Sequence, residues 1–131
     1  MKILITGGTG FQGSNLSKSL LEDGHDVVIL NLNSEKNETN VKSFIGNIED
    51  EGFLFRVFKD VKPDVVIHAA AMKHINIAEE NPIQACQSNV IGSINVINAS
   101  IMANVPITVG ISTDKACSSE SVYGDTKSLM E

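Results

Sequence analysis

"KILITGGTGFQG", Lys2 to Gly13, decides the fold. Its first half, Lys2–Thr6, is a short apolar run ending at glycines and reads as a buried strand. Gly7, Gly10 and Gly13 follow in a G-x-x-G-x-x-G pattern. From Phe11 to Asp23 the apolar residues Phe11, Leu16, Leu20 and Leu21 recur at helical spacing, and Gly24 supplies a stop. A strand, a glycine turn and a helix let backbone amides approach a pyrophosphate with no Cβ in the way. The last glycine lets the helix pack close to the strand. A glycine pattern alone also describes a plain strand-to-helix turn. Here it follows a strand and opens a helix, which makes it a dinucleotide loop.

The rest of the chain repeats the alternation. Asp26–Leu30 is a second strand, Asn31–Asn40 a polar loop, and Val41–Ile45 a weaker strand. Glu51–Asp60 reads as a short helix and Asp64–Ala71 ("DVVIHAAA") as a strong strand. Asn81-Pro82 starts a helix, with Asn81 as cap, that continues to Asn104. After Pro106, "ITVGIS" is the last strand, and a further helix carries Tyr123 and Lys127. Strands alternating with helices imply right-handed crossovers: an α/β, Rossmann-like parallel sheet covered by helices on both faces. The expected sheet has five strands, and residues 1–131 form one dinucleotide-binding domain.

Bulk properties narrow the class. Sixteen Asp and Glu against ten Lys and Arg give a net charge of −6, which argues against nucleic acid as a partner. A small anionic ligand remains compatible, because a helix N-terminus holds phosphate whatever the overall charge. No apolar run reaches bilayer length, so no membrane partner is expected. The opening "MKILITGG" has too short an apolar core for a signal peptide. Cys86 and Cys117 form no framework, and a cytoplasmic location follows. His25, His68 and His74 show no metal spacing and read as structural or exposed.

The residue ending the second strand should choose between the two nicotinamide dinucleotides. A carboxylate there grips the ribose 2′-hydroxyl and repels a 2′-phosphate. This chain has Asn31, which bonds a hydroxyl but repels nothing, and Lys36 is near enough in sequence to approach a phosphate. The reading favours NADP over NAD. Asn47, after the third strand, stands where an adenine contact is usual, and also reads as a turn former.

Tyr123 and Lys127 are four apart and share a helix face. An ammonium beside a phenol favours the phenolate and makes Tyr123 a candidate acid or base for a hydroxyl. "TGGTGFQG", "HAAAMKH", "AEENP", "SNVIGSINVINA" and "STDKA…YGDTKSLME" together resemble an extended short-chain dehydrogenase/reductase. Within that class they are most similar to the UDP-N-acetylglucosamine 4,6-dehydratase group of polysaccharide and glycan synthesis, inverting form included. The resemblance runs from Lys2 to Glu131, the N-terminal part of a family member. It implies a further, C-terminal lobe that binds the nucleotide-sugar.

The resemblance also implies roles. Thr113 would orient the sugar O4, with Tyr123 as base and Lys127 as its electrostatic partner. Lys115 would remove the C5 proton and Asp114 would protonate the departing C6 hydroxyl. Cofactor contacts would come from Gly7, Gly10, Phe11, Gln12, Gly13, Asn31, Asn47, Ile48, Ala69, Ala70, Ala71, Tyr123 and Lys127. Lys73 and Asn89 would serve the UDP-sugar. The chain departs from the family at Asn31-Leu32-Asn33, where an acid or a Ser-Arg pair is usual. It also lacks a proline in Ser118–Ser121, ahead of the tyrosine.

Two rival readings stay open. A nucleotide-sugar 4-epimerase needs no acid–base pair at Asp114-Lys115. A non-catalytic NAD(P)-binding module has no use for Thr113, Tyr123 and Lys127 together. A sheet ending after its fifth strand exposes an apolar edge, from which a homo-oligomer is expected.

Overall fold

The computed structural model describes residues 1–34 and 40–131. Five parallel strands, β1 (Lys2–Thr6), β2 (Asp26–Asn31), β3 (Lys42–Ile45), β4 (Val65–His68) and β5 (Ile107–Gly110), form one sheet in the order β3-β2-β1-β4-β5. β1 is central, pairing Ile3 with Val27 on one side and with Val65 on the other. Strand order reverses between β1 and β4, and ligand crevices of open α/β sheets lie at such a point, beyond the strand C-termini.

Side chains alternate across the sheet, and both faces are covered, so the strands read as unbroken apolar runs. Leu4, Val28, Leu30 and Val66 pack with Leu54, Val57 and Phe58 of helix α2 (Glu51–Val61) and with Val96 of helix α5 (Gly92–Met102). Ile3, Ile5, Val27 and Ile29 face the other way, onto Leu16 and Leu20 of helix α1 (Phe11–Glu22). Asp50 caps α2 by accepting from Phe53 N at 2.8 Å.

Several expectations shift. The strand read over Asp64–Ala71 closes at His68, leaving Ala69–Lys73 as a loop. Asn31 belongs to β2, paired with Ile45, rather than to the following loop. A short helix, α3 (Ile75–Glu80), was not expected. Asn81 stands at the N-cap of the next helix, with Pro82 in its first turn, but its side chain makes no cap bond and its Nδ2 donates backwards to Ile77 O at 3.0 Å. The long helix after it is three pieces: α4 (Pro82–Cys86), a π-helical turn (Gln87–Ile91) and α5. Single π turns inside helices often mark functional positions. A 3₁₀ turn (Asp114–Ala116) leads to helix α6 (Val122–Met130), capped by Ser121 through Gly124 N at 3.1 Å. Among the described residues no helix is long and apolar enough to cross a membrane.

Candidate functional site

Two adjoining cavities open at the C-terminal ends of β1, β2 and β4. The larger, about 670 Å³, is lined by Gly7, Thr9, Gly10, Asn31, Leu32, Asn47, Ile48 and Ala69–Lys73. The smaller, about 230 Å³, takes Phe11, Gln12 and Gly13 on one side and Ile111, Ser112, Thr113, Tyr123 and Lys127 on the other. Gly7, Gly10, Ala69, Ala71 and Lys73 line both.

The glycines are required by geometry at two places. Gly7 has φ +73°, and a Cβ there would sit 2.8 Å from Ala70 N, so the glycine loop and the loop after β4 touch. A Cβ on Gly13 would run into the Gly7 carbonyl oxygen, which is how α1 approaches β1 so closely. Gly7 N donates to Leu30 O at 2.7 Å and Ala69 N to Thr6 O at 3.0 Å, extending the ladder past the strand ends.

Asn31 is buried, and its Oδ1 accepts from Thr9 N at 2.9 Å and Thr9 Oγ1 at 3.2 Å. That oxygen holds the glycine loop. Lys36, the cation considered for a 2′-phosphate, lies outside the described residues. Asn47 forms a tight turn, its Oδ1 accepting from Glu49 N at 3.0 Å, and it also lines the larger cavity. A cavity lined by the glycine loop and by the first residues of α1 fits a dinucleotide.

Of the five expected catalytic residues, Thr113, Tyr123 and Lys127 meet at the smaller cavity. The Lys127 ammonium donates to Ile111 O at 2.6 Å and approaches Met130 Sδ at 3.3 Å, instead of bonding the phenol directly. Burial lowers the Lys127 pKa from its ordinary value, and the Glu131 charge opposes this. Asp114 and Lys115 do not line either cavity. They form an exposed ion pair, 3.5 Å apart, on the 3₁₀ turn. The Thr113 hydroxyl, donating to Asp114 Oδ1 at 3.1 Å, and then the Lys115 charge hold the Asp114 carboxyl below its ordinary range.

Lys73 lines both cavities, whereas Asn89 lies in the interior, off either wall. Asn89 Oδ1 accepts from Met72 N at 2.8 Å, and Nδ2 donates to Met72 O at 3.1 Å and Thr126 Oγ1 at 3.0 Å. It acts on the walls at one remove. His68 is buried, and burial, then the Lys127 charge, lower its pKa to about 4. Sequence reasoning missed a cluster on the larger cavity where Glu49 Oε1 accepts from Gln84 Nε2 and Ser88 Oγ, each at 2.7 Å. No local pattern joins these residues; only the packing of α4 and the π turn near Glu49 brings them together. Cys86 and Cys117 are free and exposed, and the described residues contain no metal-holding cluster.

A glycine loop at the switch point of a parallel sheet, facing a Tyr-x-x-x-Lys helix, defines an extended short-chain dehydrogenase/reductase. More narrowly, the chain belongs to the family described as polysaccharide biosynthesis protein, which matches residues 3–131. It is 41% identical over 135 residues to a Campylobacter jejuni UDP-N-acetylglucosamine 4,6-dehydratase (inverting), covering 95% of this chain and 40% of that protein. It is 39% identical over 138 residues to a Methanocaldococcus jannaschii protein described as an uncharacterized membrane protein, covering 98% and 41%. The chain thus spans about two fifths of the length of these relatives. Among solved structures it resembles a UDP-glucose-4-epimerase from Stenotrophomonas maltophila with bound NAD and formylated UDP-arabinopyranose. There the TM-score is 0.90 at 26% identity, over 98% of this chain and 46% of that one.

Proposed function

We propose that residues 1–131 are the NAD(P)-binding, catalytic-residue half of a nucleotide-sugar 4,6-dehydratase, a lyase acting on UDP-N-acetylglucosamine or a similar UDP-sugar. The observation that supports this is one cavity: Thr113, Tyr123 and Lys127 line it together with Gly7, Gly10 and Gly13. The substrate lobe would be supplied by residues outside this chain.

A nicotinamide dinucleotide, NADP in this reading with NAD as the alternative, would take hydride from C4 and return it at C6. Amides at Gly7–Gly13, with Phe11 and Gln12, would hold its pyrophosphate. Asn31 would meet the ribose, Asn47 and Ile48 the adenine, and Ala69, Ala70 and Ala71 the wall between the two halves. Thr113 orients the sugar O4, and Tyr123 takes the O4 proton, helped by the positive charge of Lys127. Lys115 then removes the C5 proton and Asp114 protonates the C6 oxygen, which leaves as water; C5 regains a proton when hydride is returned at C6, and Lys73 contacts the substrate. Asn89 contributes by holding Met72. Asp114 must first be protonated, so substrate binding has to loosen its contacts with Thr113 and Lys115.

That requirement favours a second reading, a 4-epimerase, in which the exposed Asp114–Lys115 pair takes no part. The two separate in a protein that carries the substrate lobe. Dehydratase chemistry predicts deuterium exchange at C5 that Lys115→Ala abolishes while C4 oxidation persists; exchange unchanged in that variant removes Lys115 from the mechanism, and a parent that oxidises C4 without any exchange at C5 leaves the epimerase. For the chain itself, saturable fluorescence titration with NADPH and with NADH tests the dinucleotide site, and tighter NADH binding overturns the NADP preference.

A further inference from the structure

Ser93 is buried on α5 with its Oγ 2.6 Å from the Asn89 carbonyl oxygen, a contact in which the hydroxyl donates. With that hydrogen used, the 2.9 Å contact from His68 Nε2 to Ser93 Oγ requires the imidazole to donate. A neutral imidazole has one ring hydrogen, so Nδ1 is bare. Thr6 Oγ1, 2.6 Å away, therefore donates to Nδ1, and accepts in turn from Ala70 N at 3.4 Å. Every donor points the same way, from Ala70 through Thr6, His68 and Ser93 to Asn89. Burial keeps the ring neutral, and the charge acting on it, Lys127 of α6, disfavours a second cation beside it.

The chain branches where it ends. The Asn89 side chain holds Met72 by both its backbone groups and holds Thr126, whose hydroxyl donates to Tyr123 O at 2.9 Å. Ala70 and Met72 are thus pinned from behind, and between and beside them Ala69, Ala71 and Lys73 form the wall common to both cavities.

We infer that His68 is a positioning residue: as its Nε2–H tautomer it locks the Ala69–Lys73 wall to the π-helical turn of Asn89 and, through it, to the helix of Tyr123. The cofactor loop and the tyrosine are then in register before any ligand arrives. This deepens the function proposed above and rests on reading the two cavities as its cofactor and substrate site. A directional chain matters because reversing one ring hydrogen leaves two buried groups donor to donor or acceptor to acceptor.

The test uses the ¹⁵N-labelled 131-residue chain. Imidazole correlation spectra are expected to show His68 protonated at Nε2 and bare at Nδ1, unchanged between about pH 7 and pH 5. Ser93→Ala removes the acceptor for Nε2. It should let a measurable share of His68 take the Nδ1–H form, move the Met72 amide signal, and weaken NADH or NADPH binding by about tenfold. His68→Gln retains a donor near the Nε2 position and should bind within about threefold of the parent, whereas His68→Ala should not. An Nδ1–H tautomer in the parent, a ring that titrates near its ordinary value, or a Met72 signal unmoved by Ser93→Ala overturns the inference. Failure of the parent chain to bind either dinucleotide overturns the proposed function instead, and the tautomer and amide readouts still decide this one.

Discussion

The β1 side and the β5 side of this sheet are built on different principles. β1 is flanked by strands on both edges and helices on both faces, and Leu4 and Ile5 are wholly buried. β5 has the same apolar residue types, yet Ile107 is 51% exposed and Val109 45%. The strand that launches the glycine loop is therefore set by packing. The Tyr123 helix is set by a few polar links: Lys127 to Ile111 O, Asn89 to Thr126, and Glu79 Oε1 accepting from Val122 N at 2.6 Å. Packing resists small changes collectively, whereas a polar link fails when one atom is removed.

The largest effect expected is at the packed side. Leu4→Ala should cost about 3–5 kcal/mol, transfer plus cavity, and urea unfolding measures it. A loss under about 1 kcal/mol would mean that β1 is not the centre of the core.

Acid comes next. His68 stays neutral in the fold down to about pH 4, whereas an exposed imidazole protonates near 6.5. Between these values the unfolded chain binds the extra proton, so stability is full above pH 6.5 and falls as pH falls. At roughly 1.4 kcal/mol per unit, the loss reaches about 3 kcal/mol at pH 4. Urea melts across this range should show the loss in the parent but not in His68→Gln, the carboxylates being common to both. Equal slopes would mean that His68 does not carry the acid sensitivity. The lowered pKa of exposed Asp114 acts in the same direction and is present in both proteins.

On the polar side, Asn89→Ala should cost about 2 kcal/mol, because the Met72 backbone groups and Thr126 lose partners they cannot replace with water. Amide exchange should then quicken in α6 before it does in β1. Uniform quickening would erase the contrast between the two regions.

The packed region is also the one that was legible. Apolar runs, glycine spacing and helical periodicity are local signals, so β1, the glycine loop, α1 and β2 read directly from Lys2–Leu30. Tyr123 and Lys127 were legible because four residues on a helix fix a shared face. The polar links were not. Asn89 was a substrate contact only by family resemblance, while the π turn and the loop after β4 decide that its side chain turns inward onto Met72. Asn81 likewise keeps the cap position read from sequence but not the cap bond, because its side chain turns back onto α3, which has little helical signature of its own. The Asp114–Lys115 pair was legible as a pair, but not its position off the cavity wall.

The smallest stability effect is expected at β5, where Val109→Ser should cost under about 0.5 kcal/mol in dilute solution, since its surroundings are already wet. The same change should weaken self-association more visibly. Ile107 and Val109 present an apolar strip on an edge strand whose unpaired backbone is a template for another chain. Sedimentation at roughly tens of micromolar should find the parent self-associated and Val109→Ser shifted toward monomer. A parent that is monomeric throughout would mean that the exposed strip is tolerated as ordinary surface. The two sides of the sheet would then differ in how they are held, but not in what they attract.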